Sequence, residues 1–334
     1  MKSFLLASVL SFGVAVAAQA QQPGPRSINT GGAQGAYHGT FCPPLPGVLA
    51  NAYFQGYSCT PSAGTIDNIQ RVLANPSAIG FAQLDVFARE AAARPAEFQR
   101  LSVVRADIAC EGLWMISKNP DLDFGRVLGL ARRIQFVLPA PTSGSTASFN
   151  YLRSIDPEGL GRVPDTNITY MNNATDVINR IAASTNGEVG FFVQFADPRN
   201  TNIQLMTANN LRIIPVISRE ILRARVGEQA VYQPQTFTLS EGRAFGIGGR
   251  AITATTACTP VALFTGAPGA FADRNGQDDA REMIQRLQQV DRAAMLPQDG
   301  AIQALLRNVN RLSQAAVDQA VAGVESARRA VENR

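Results

Sequence analysis

The stretch Ser27-Ile-Asn-Thr-Gly-Gly-Ala-Gln-Gly-Ala-Tyr37 predicts the end of a β-strand that runs into a glycine-rich turn. Gly31, Gly32 and Gly35 permit unusual backbone angles and allow the backbone to approach a bound group closely. Free amides at the start of the following helix would then be able to donate to an anion. By itself such a turn is equally compatible with a glycine-rich connection that binds nothing, so the rest of the chain has to decide between these two interpretations.

Two more small-polar turns follow predicted strands. Thr60-Pro-Ser-Ala-Gly-Thr65 precedes a helix with apolar residues at helical spacing, and Ser62 or Thr65 is also a suitable cap for that helix. Gln83-Leu-Asp85 follows a short apolar strand; Gln83 is placed to orient a ligand, and Asp85 is equally suited to capping. The alternation βαβαβ predicts a parallel sheet with helices on both faces, and ligands bind beyond the carboxyl ends of such strands.

A second alternating unit begins after the polar stretch 119–123, and it contains the turn Pro141-Thr-Ser-Gly-Ser-Thr146. The pattern predicts strands over 26–29, 52–59, 78–82, 98–109, 110–118, 133–138, 167–171, 188–195, 211–216, 235–239 and 251–264. It predicts helices over 36–51 with a break near residue 42, and over 66–75, 86–93, 147–155, 172–183, 197–208, 278–294 and 301–331.

The first 20 residues combine Lys2, a mostly apolar run and the small-x-small site Ala18-Gln-Ala20. This predicts a secretory signal peptide that is cleaved after Ala20. No other stretch approaches the roughly 18 consecutive apolar residues of a membrane span. We therefore expect a periplasmic protein whose mature chain begins at Gln21 and has no membrane span.

Composition favours a folded protein that does not bind nucleic acid. The chain has 334 residues, of which 46% are hydrophobic, so it can bury a sizeable core and form two lobes. Its formal net charge is +4, and the arginines are scattered singly or in pairs such as Arg132-Arg133. A basic stripe that follows a nucleic-acid backbone is not predicted.

Residues for catalysis are not evident. The only histidine, His38, stands shortly before a proline-rich break and is expected to be a packing or rim residue. The sequence has no Gly-x-Ser-x-Gly nucleophile elbow, no phosphate-binding loop of the Walker type and no HExxH zinc motif. We expect no enzymatic activity, no cofactor and no metal.

Four cysteines, Cys42, Cys59, Cys110 and Cys258, have spacings that match no zinc pattern. In an exported chain this favours disulfides. Three pairings are possible, and the nearness of Cys42 to Cys59 favours that pair, which leaves Cys110 with Cys258.

In their order along the chain, three stretches resemble the first-lobe signatures of type II periplasmic solute-binding proteins, and most closely the TAXI receptors of TRAP transporters. They are Thr30-Gly-Gly-Ala-Gln-Gly-Ala-Tyr37, Ser62-Ala-Gly-Thr-Ile-Asp-Asn68 and Ala78-Ile-Gly-Phe-Ala-Gln-Leu-Asp85. Thr142-Ser-Gly-Ser-Thr146 is similar to the second-lobe turn of these proteins, and Leu211-Arg-Ile-Ile-Pro-Val216 to a strand that follows it.

The resemblance implies a two-lobed α/β fold in which each lobe is a mainly parallel sheet flanked by helices. It implies a discontinuous first lobe of residues 27–110 and 258–296, a second lobe of 111–257, and a C-terminal helical extension over 297–334. Two strands would cross between the lobes, and the second disulfide would lie where they pass side by side. The implied ligand-facing residues are Thr30, Gly31, Tyr37, Ser62, Thr65, Gln83, Ser143, Ser145 and Thr146.

The implied function is the capture of a small molecule and its delivery to a membrane permease, of the TRAP type or another. We expect the ligand to be a small anion, and specifically a carboxylate. Because the glycine turns carry no basic residue, its charge would be met by helix N-terminal amides and hydroxyls. A neutral polar ligand is the alternative. A ligand sensor or scaffold on the same fold, and an exported enzyme, are the alternative functions.

Overall fold

The computed structural model describes residues 26–33, 35–185, 187–240, 251–297 and 310–333. The predicted signal peptide over 1–20 lies outside this described part, and so do residues 301–309 of the helix predicted over 301–331. The signal peptide therefore stays a prediction.

Thirteen β-strands are labelled here among the described residues. They are β1 Ser27–Asn29, β2 Ser58–Thr60, β3 Ile79–Gln83, β4 Leu101–Ser117, β5 Phe136–Leu138, β6 Ile168–Tyr170, β7 Val189–Gln194, β8 Arg212–Ile214, β9 Arg225–Val226, β10 Gln229–Ala230, β11 Gln233–Ser240, β12 Ile252–Gly266 and β13 Asn310–Arg311.

The α-helices of the described residues, with one π-helical turn over Tyr37–Phe41, lie between these strands. They are α1 Leu45–Asn51, α2 Thr65–Ala74, α3 Leu84–Ala93, α4 Pro95–Phe98, α5 Phe124–Gly129, α6 Gly144–Ile155, α7 Ala174–Ala183, α8 Thr201–Ala208, α9 Arg219–Arg223, α10 Arg274–Gln289 and α11 Gln314–Glu332.

One sheet runs through the molecule in the order β2-β1-β3-β12-β4-β7-β5-β6. At one end β2, β1 and β3 pair in parallel, and at the other end β7, β5 and β6 do the same. The long strands β12 and β4 lie between these groups and run antiparallel to their neighbours. This mixed α/β architecture, with parallel outer strands and flanking helices, agrees with the predicted fold class.

We call the β2-β1-β3 end, with residues 101–110 of β4 and 259–266 of β12, the first half. The second half comprises β7 and β8, which pair with the later part of β4, the strands β5 and β6 beyond β7, and β11, which pairs with the earlier part of β12. Each half has apolar clusters on both faces of its sheet. The division into lobes at the predicted residues stays a prediction.

Strand β4 corrects one prediction, because residues 98–109 and 110–118 were expected to form two strands. They form one strand over Leu101–Ser117. Gly112 allows this continuity next to Trp114, since a Cβ atom at Gly112 would lie 2.5 Å from the indole ring. The strand therefore passes from the first half to the second without a turn.

Both predicted disulfides are present. Cys42 and Cys59 join the segment after the glycine turn to β2, and their Cα atoms lie 6.0 Å apart. Cys110 and Cys258 join β4 to β12 with a Cα separation of 5.5 Å. The second bridge thus links the two strands that both halves share.

Two predicted boundaries were wrong because turns use residues that were assigned to regular elements. The strand expected over 52–59 is mostly a turn, since Tyr53 has φ +69° and Gly56 has φ +82°, and only Ser58–Thr60 pairs with β1. The helix expected from Asp197 begins at Thr201. Asp197 accepts from the amide of Arg199 in a turn instead of capping a helix.

Caps explain other shifts of helix ends. Ser143 accepts from the amide of Thr146, so α6 begins at Gly144 and not at residue 147. Asp273 caps α10, which runs over Arg274–Gln289 instead of 278–294. The helix expected over 301–331 is interrupted, because residues 310 and 311 pair with β11 and Ser313 caps α11.

The C-terminal helix α11 packs on the second half. A Cβ atom at Gly125 would lie 2.3 Å from the carbonyl oxygen of Val324 and 2.7 Å from the Cβ atom of Ala327. Val317 and Val321 pack against Ile217. Of the helices in the described residues, none has the length and apolar character that a membrane crossing requires.

Candidate functional site

A small cavity of about 220 Å³ lies where the two halves face each other. It is smaller than the roughly 300 to 1,000 Å³ typical of pockets for drug-sized ligands, so it suits a small molecule. Its walls come from the glycine turn, the start of α2, the end of β3, β4, the start of α6 and β7. The residues are Gly31, Gly32, Gly35, Ala36, Tyr37, Gly64, Thr65, Gln83, Glu111, Gly144, Ser145 and Val193.

Hydrogen bonds of buried polar groups hold the glycine turn in place. Asn68 of α2 donates from Nδ2 to the carbonyl oxygens of Thr30 at 2.7 Å and Phe81 at 2.8 Å. The Thr30 hydroxyl lies 3.1 Å from Nδ1 of His38 and 3.2 Å from the carbonyl oxygen of Thr60. These contacts hold β1 and the turn against α2, so that Gly31 forms part of the cavity wall.

The N-terminus of α2 opens on the cavity. Gly64 precedes the helix with φ +120° and ψ −165°, a backbone conformation that only glycine adopts readily. No side chain caps the first amides of α2 from this position. The hydroxyl oxygen of Thr65 accepts from the amide of Gln83 at 3.2 Å, which leaves the Thr65 hydroxyl hydrogen available for an acceptor in the cavity.

The N-terminus of α6 opens on the same cavity from the second half. Ser143 caps the amide of Thr146, whereas Gly144 and Ser145 face the cavity. The Ser145 hydroxyl oxygen accepts from the amide of Val193 at 2.9 Å, and the hydroxyl donates to the carbonyl oxygen of Val193 at 3.4 Å. Gly144 lies close to Gln83 of the first half, because a Cβ atom at this position would lie 2.4 Å from Oε1 of the Gln83 side chain.

Glu111 on β4 is a site residue that the sequence analysis did not single out. Its side chain is 8% exposed and forms part of the cavity wall. Oε2 accepts hydrogen bonds from the Tyr37 hydroxyl at 2.7 Å and from Nε2 of Gln83 at 3.0 Å. The available signal was a carboxylate directly before the apolar run 112–116 of the same strand, since buried charges are rare without a specific role.

Burial raises the pKa of Glu111 to about 7 and outweighs the opposite effect of the hydrogen bonds from Tyr37 and Gln83. The negative charge of Asp85 raises it further. Burial, followed by the charge of Glu111, raises the pKa of the Tyr37 phenol well above its usual value. Among the described residues that line the cavity there is no lysine or arginine.

Five of the nine predicted ligand-facing residues line the cavity together: Gly31, Tyr37, Thr65, Gln83 and Ser145. The other four lie just behind its wall, with their hydroxyls in hydrogen bonds within the protein. Thr30 contacts His38, Ser62 accepts from Gly64, Ser143 accepts from Thr146, and Thr146 donates to Pro139. Ligand contact by any of the nine residues stays a prediction.

Two other residues considered from the sequence lie outside the cavity wall. Asp85 is completely buried and accepts from the Tyr232 hydroxyl at 3.0 Å, which connects α3 to the segment before β11. His38 is half-buried beside Thr30. In the described part of the chain, no group of three or more histidine, cysteine, aspartate or glutamate residues is arranged to hold a metal ion.

A larger groove of about 910 Å³ lies elsewhere, between α5 and the end of α11, with Arg126, Leu130 and Val331 in its walls. In the described part of the chain, no helix of eight or more residues begins at this groove, so it offers an anion no long helix N-terminus. The groove lies within the second half. The smaller cavity is the stronger candidate because two helix N-termini and a buried carboxyl meet there.

No protein-family model matches the sequence, and no curated protein matches it either. Several solved structures are similar in fold at low sequence identity. PhnD1 from Prochlorococcus marinus, solved with methylphosphonate, is 11% identical, with a TM-score of 0.48 over 93% of this chain and 100% of that chain.

A Candida albicans protein with the generic periplasmic binding protein fold is 11% identical, with a TM-score of 0.44 over 92% of this chain and 90% of its own. The VFT2 domain of Bordetella pertussis BvgS, as a double mutant, is 11% identical, with a TM-score of 0.42 over 84% of this chain and 92% of its own. The narrower resemblance to TAXI receptors stays a hypothesis.

Proposed function

We propose that this protein is an exported solute-binding protein that captures a small anion, most simply a carboxylate, between its two halves and delivers it to a membrane transporter. The observation that carries the proposal is the convergence of two helix N-termini, α2 from the first half and α6 from the second, on one cavity. Each N-terminus offers unsatisfied amides and a partial positive charge to an anion.

The hydroxyls at the two helix starts favour the same ligand chemistry. Thr65 and Ser145 each use an oxygen lone pair to accept from a backbone amide, Gln83 and Val193 respectively. The Thr65 hydroxyl hydrogen is therefore available to another acceptor. The Ser145 hydrogen makes only a long contact of 3.4 Å with the carbonyl oxygen of Val193, and a ligand oxygen would be a competing acceptor. Such a site favours a ligand rich in acceptor oxygens, and a carboxylate or another small oxyanion meets that requirement.

The arrangement also supports binding that depends on the closeness of the halves. Gln83 of the first half and Gly144 of the second approach each other closely, since a Cβ atom at Gly144 would lie 2.4 Å from Oε1 of Gln83. A ligand in the cavity would contact both halves at once, and the water-poor environment would strengthen each amide contact. Closure around a ligand is the step that a transporter or a sensor partner would recognise.

A ligand sensor or scaffold on the same fold is the second candidate, since the cavity serves it equally. A neighbouring gene for a large multispanning permease would favour transport, whereas a neighbouring sensor kinase would favour signalling. A TRAP-type permease is the specific partner suggested by the sequence resemblance. Catalytic turnover of any substrate would contradict both of these functions and would favour the alternative of an exported enzyme.

A thermal-shift screen of the full protein against a panel of small metabolites tests the proposal directly. A ligand present at 100 times its Kd stabilises the folded state by about 2.7 kcal/mol. We expect stabilisation by one or a few small anions, followed by calorimetric confirmation. Stabilisation by neutral compounds alone would contradict the anionic part, and the absence of any stabilising compound would contradict the binding function.

A further inference from the structure

The two oxygens of the Glu111 carboxyl differ in the hydrogen bonds that they make within the protein. Oε2 accepts from both Tyr37 and Gln83. Both hydrogen bonds of Glu111 within the part of the chain that the structure describes use Oε2, and Oε1 has none there. The side chain is nine-tenths buried in the cavity wall. An oxygen that accepts two hydrogen bonds is the carbonyl-type oxygen of a carboxylic acid, so a proton on Glu111 belongs on Oε1.

The groups that surround Glu111 do not neutralise it when it is ionised. The π-helical turn contributes the neutral phenol of Tyr37, β3 contributes the amide of Gln83, and α3 contributes the carboxyl of Asp85. Thr259 is its neighbour on β12, and Ser145 faces it across the cavity from α6. Asp85 is the charged side chain that acts on Glu111, and its charge has the same sign.

An anion that enters this cavity would therefore lie beside an ionised Glu111, and the described lining residues include no basic side chain that would offset the repulsion. Protonation of Oε1 removes the repulsion and turns the same atom into a donor toward the ligand. The two helix N-termini attract negative charge to the cavity. The complex with the anion is therefore most favourable when Glu111 carries one additional proton.

We propose, as a step that rests on the proposed function, that Glu111 is a specificity-determining residue that couples binding of the anion to uptake of one proton. The proton comes from the solvent, resides on Oε1 and donates to an oxygen of the ligand. No covalent bond of the ligand changes. The site accepts small anions with an exposed acceptor oxygen and disfavours ligands that place an ammonium group at this position.

The burial of Glu111, which raises its pKa to about 7, makes the proton available near neutral pH. An anion in contact with the carboxyl raises the pKa further. By linkage, affinity for an anion of constant charge falls by up to about tenfold for each pH unit above the pKa of the free protein, until the pKa of the complex is passed. Well below pH 7 the affinity is independent of pH.

Isothermal titration calorimetry of the full protein with acetate, pyruvate, lactate and sulfate tests this coupling. The charges of these probes do not change between about pH 6 and about pH 9. Titrations in buffers with different heats of ionisation count the protons taken up by the wild-type complex. We expect the count to rise from near zero at low pH toward one above about pH 7.

Two variants locate the proton. Glu111→Gln keeps the shape, places an amide donor at the open position, and is expected to bind the same probe with a flat pH profile and no proton uptake. Glu97→Gln, at a half-exposed carboxyl on α4, is the matched control and is expected to behave like the wild type. The wild-type proton count needs no variant, so a folding defect in Glu111→Gln does not block the test.

The outcomes separate this inference from the proposed function. A probe that binds without proton uptake, or more tightly as the pH rises, overturns the role of Glu111 while the anion-binding function stands. Uptake that persists in Glu111→Gln overturns it as well. If none of the probes binds and only neutral or cationic compounds stabilise the protein in the metabolite screen, the anionic function fails and the coupling fails with it.

Discussion

The hydroxyl of Tyr37 lies 2.7 Å from Oε2 of Glu111 and ties the glycine turn of the first half to the long strand β4. Both side chains are buried, with 9% and 8% of their surfaces exposed. A donor to a carboxylate stabilises its ionised form. The position of the glycine turn and the protonation state of Glu111 are therefore coupled through this hydrogen bond.

We expect Tyr37→Phe to raise the pKa of Glu111 above its value of about 7, because the ionised carboxyl loses a donor. At alkaline pH the free energy of unfolding should fall by about 2 kcal/mol, the usual contribution of a hydrogen bond to a charged group. Carbon-13 NMR of labelled glutamate carboxyls, together with urea unfolding, measures both effects.

Tyr57→Phe is the control, since the Tyr57 hydroxyl donates to the carbonyl oxygen of Ser77 and not to a carboxyl. An unchanged Glu111 titration in Tyr37→Phe would contradict the coupling.

The stability of Glu111→Gln should depend on pH in a direction that follows from the raised pKa of Glu111. The folded-state pKa is about 7, against an ordinary value of 4.5. As the pH rises from about 4.5 to about 7 the unfolded chain loses this proton first, so the wild type loses stability relative to the variant. Above about pH 7 the variant should be more stable by up to roughly 3 kcal/mol, at 1.36 kcal/mol per pKa unit.

Urea unfolding of both proteins at a series of pH values checks this expectation. The difference between them should be near zero at the acidic end, grow through the interval and level off above about pH 7. A difference that shrinks as the pH rises would mean that Glu111 is stabilised as a carboxylate. The other buried carboxyls cancel in the comparison because they are present in both proteins.

The two disulfides should contribute unequally to stability, because they close loops of 17 and 148 residues. By chain entropy, loss of the Cys42–Cys59 bridge is expected to cost about 3 kcal/mol and loss of the Cys110–Cys258 bridge about 5 kcal/mol. Paired replacements by alanine, measured by urea unfolding, give the two values. A larger loss for the shorter loop would show that local strain or packing outweighs the entropy of the unfolded chain.

Much of the framework was predictable because its signals are local. Glycine and proline turns separate the first strands and helices, and two of the predicted polar turns do follow strands β1 and β2. The third was wrong, because Gln83 ends β3 and α3 begins directly at Leu84. The disulfide pairing followed from the sequence distance between Cys42 and Cys59. Boundaries failed where a turn residue had two uses, as at Asp197, whose carboxylate accepts from Arg199 in a turn although it precedes a proline in the manner of a helix cap.

Glu111 could not be predicted because its partners are distant in the sequence. Tyr37 is 74 residues away and Gln83 is 28 residues away, and only the pairing of β4 with β12 and β3 with β12 brings them together. In the same way, the sequence does not tell whether Ser143 contacts a ligand or caps a helix. Capping and binding use the same hydroxyl oxygens at the same helix starts.

The docking of α11 on α5 depends on the absence of a side chain at Gly125. A methyl group there would meet the backbone of Val324 at 2.3 Å. We expect Gly125→Ala to destabilise the protein by about 1 to 3 kcal/mol through overpacking and to speed hydrogen exchange in α11. Gly323→Ala on the exposed side of α11 has open space and should instead stabilise that helix by up to about 1 kcal/mol. Similar effects of the two changes would show that α11 is not held by this close approach.

The hydroxyls of Thr65 and Ser145 provide the most direct test of the cavity itself. Both accept from backbone amides, at 3.2 Å and 2.9 Å. The Thr65 hydrogen is available to a ligand, and the Ser145 hydrogen makes a long contact of 3.4 Å with the carbonyl oxygen of Val193 that a ligand oxygen would replace. If these hydrogens donate to an anion, Thr65→Ala and Ser145→Ala should each weaken binding of the screened ligand by about tenfold or more, since a hydrogen bond to a charged group contributes about 1.5 to 3 kcal/mol.

Ser154→Ala is the matched control on the same helix as Ser145, because the Ser154 hydroxyl donates to the carbonyl oxygen of Tyr151 and lies outside the cavity wall. It should leave the affinity unchanged. Calorimetry at a fixed pH below about 7 keeps Glu111 protonated in all three proteins, so that the hydroxyl contribution is measured without the proton linkage. If both Thr65→Ala and Ser145→Ala bind the anion as tightly as Ser154→Ala does, the two hydroxyls do not donate to the ligand and the proposed site chemistry is wrong.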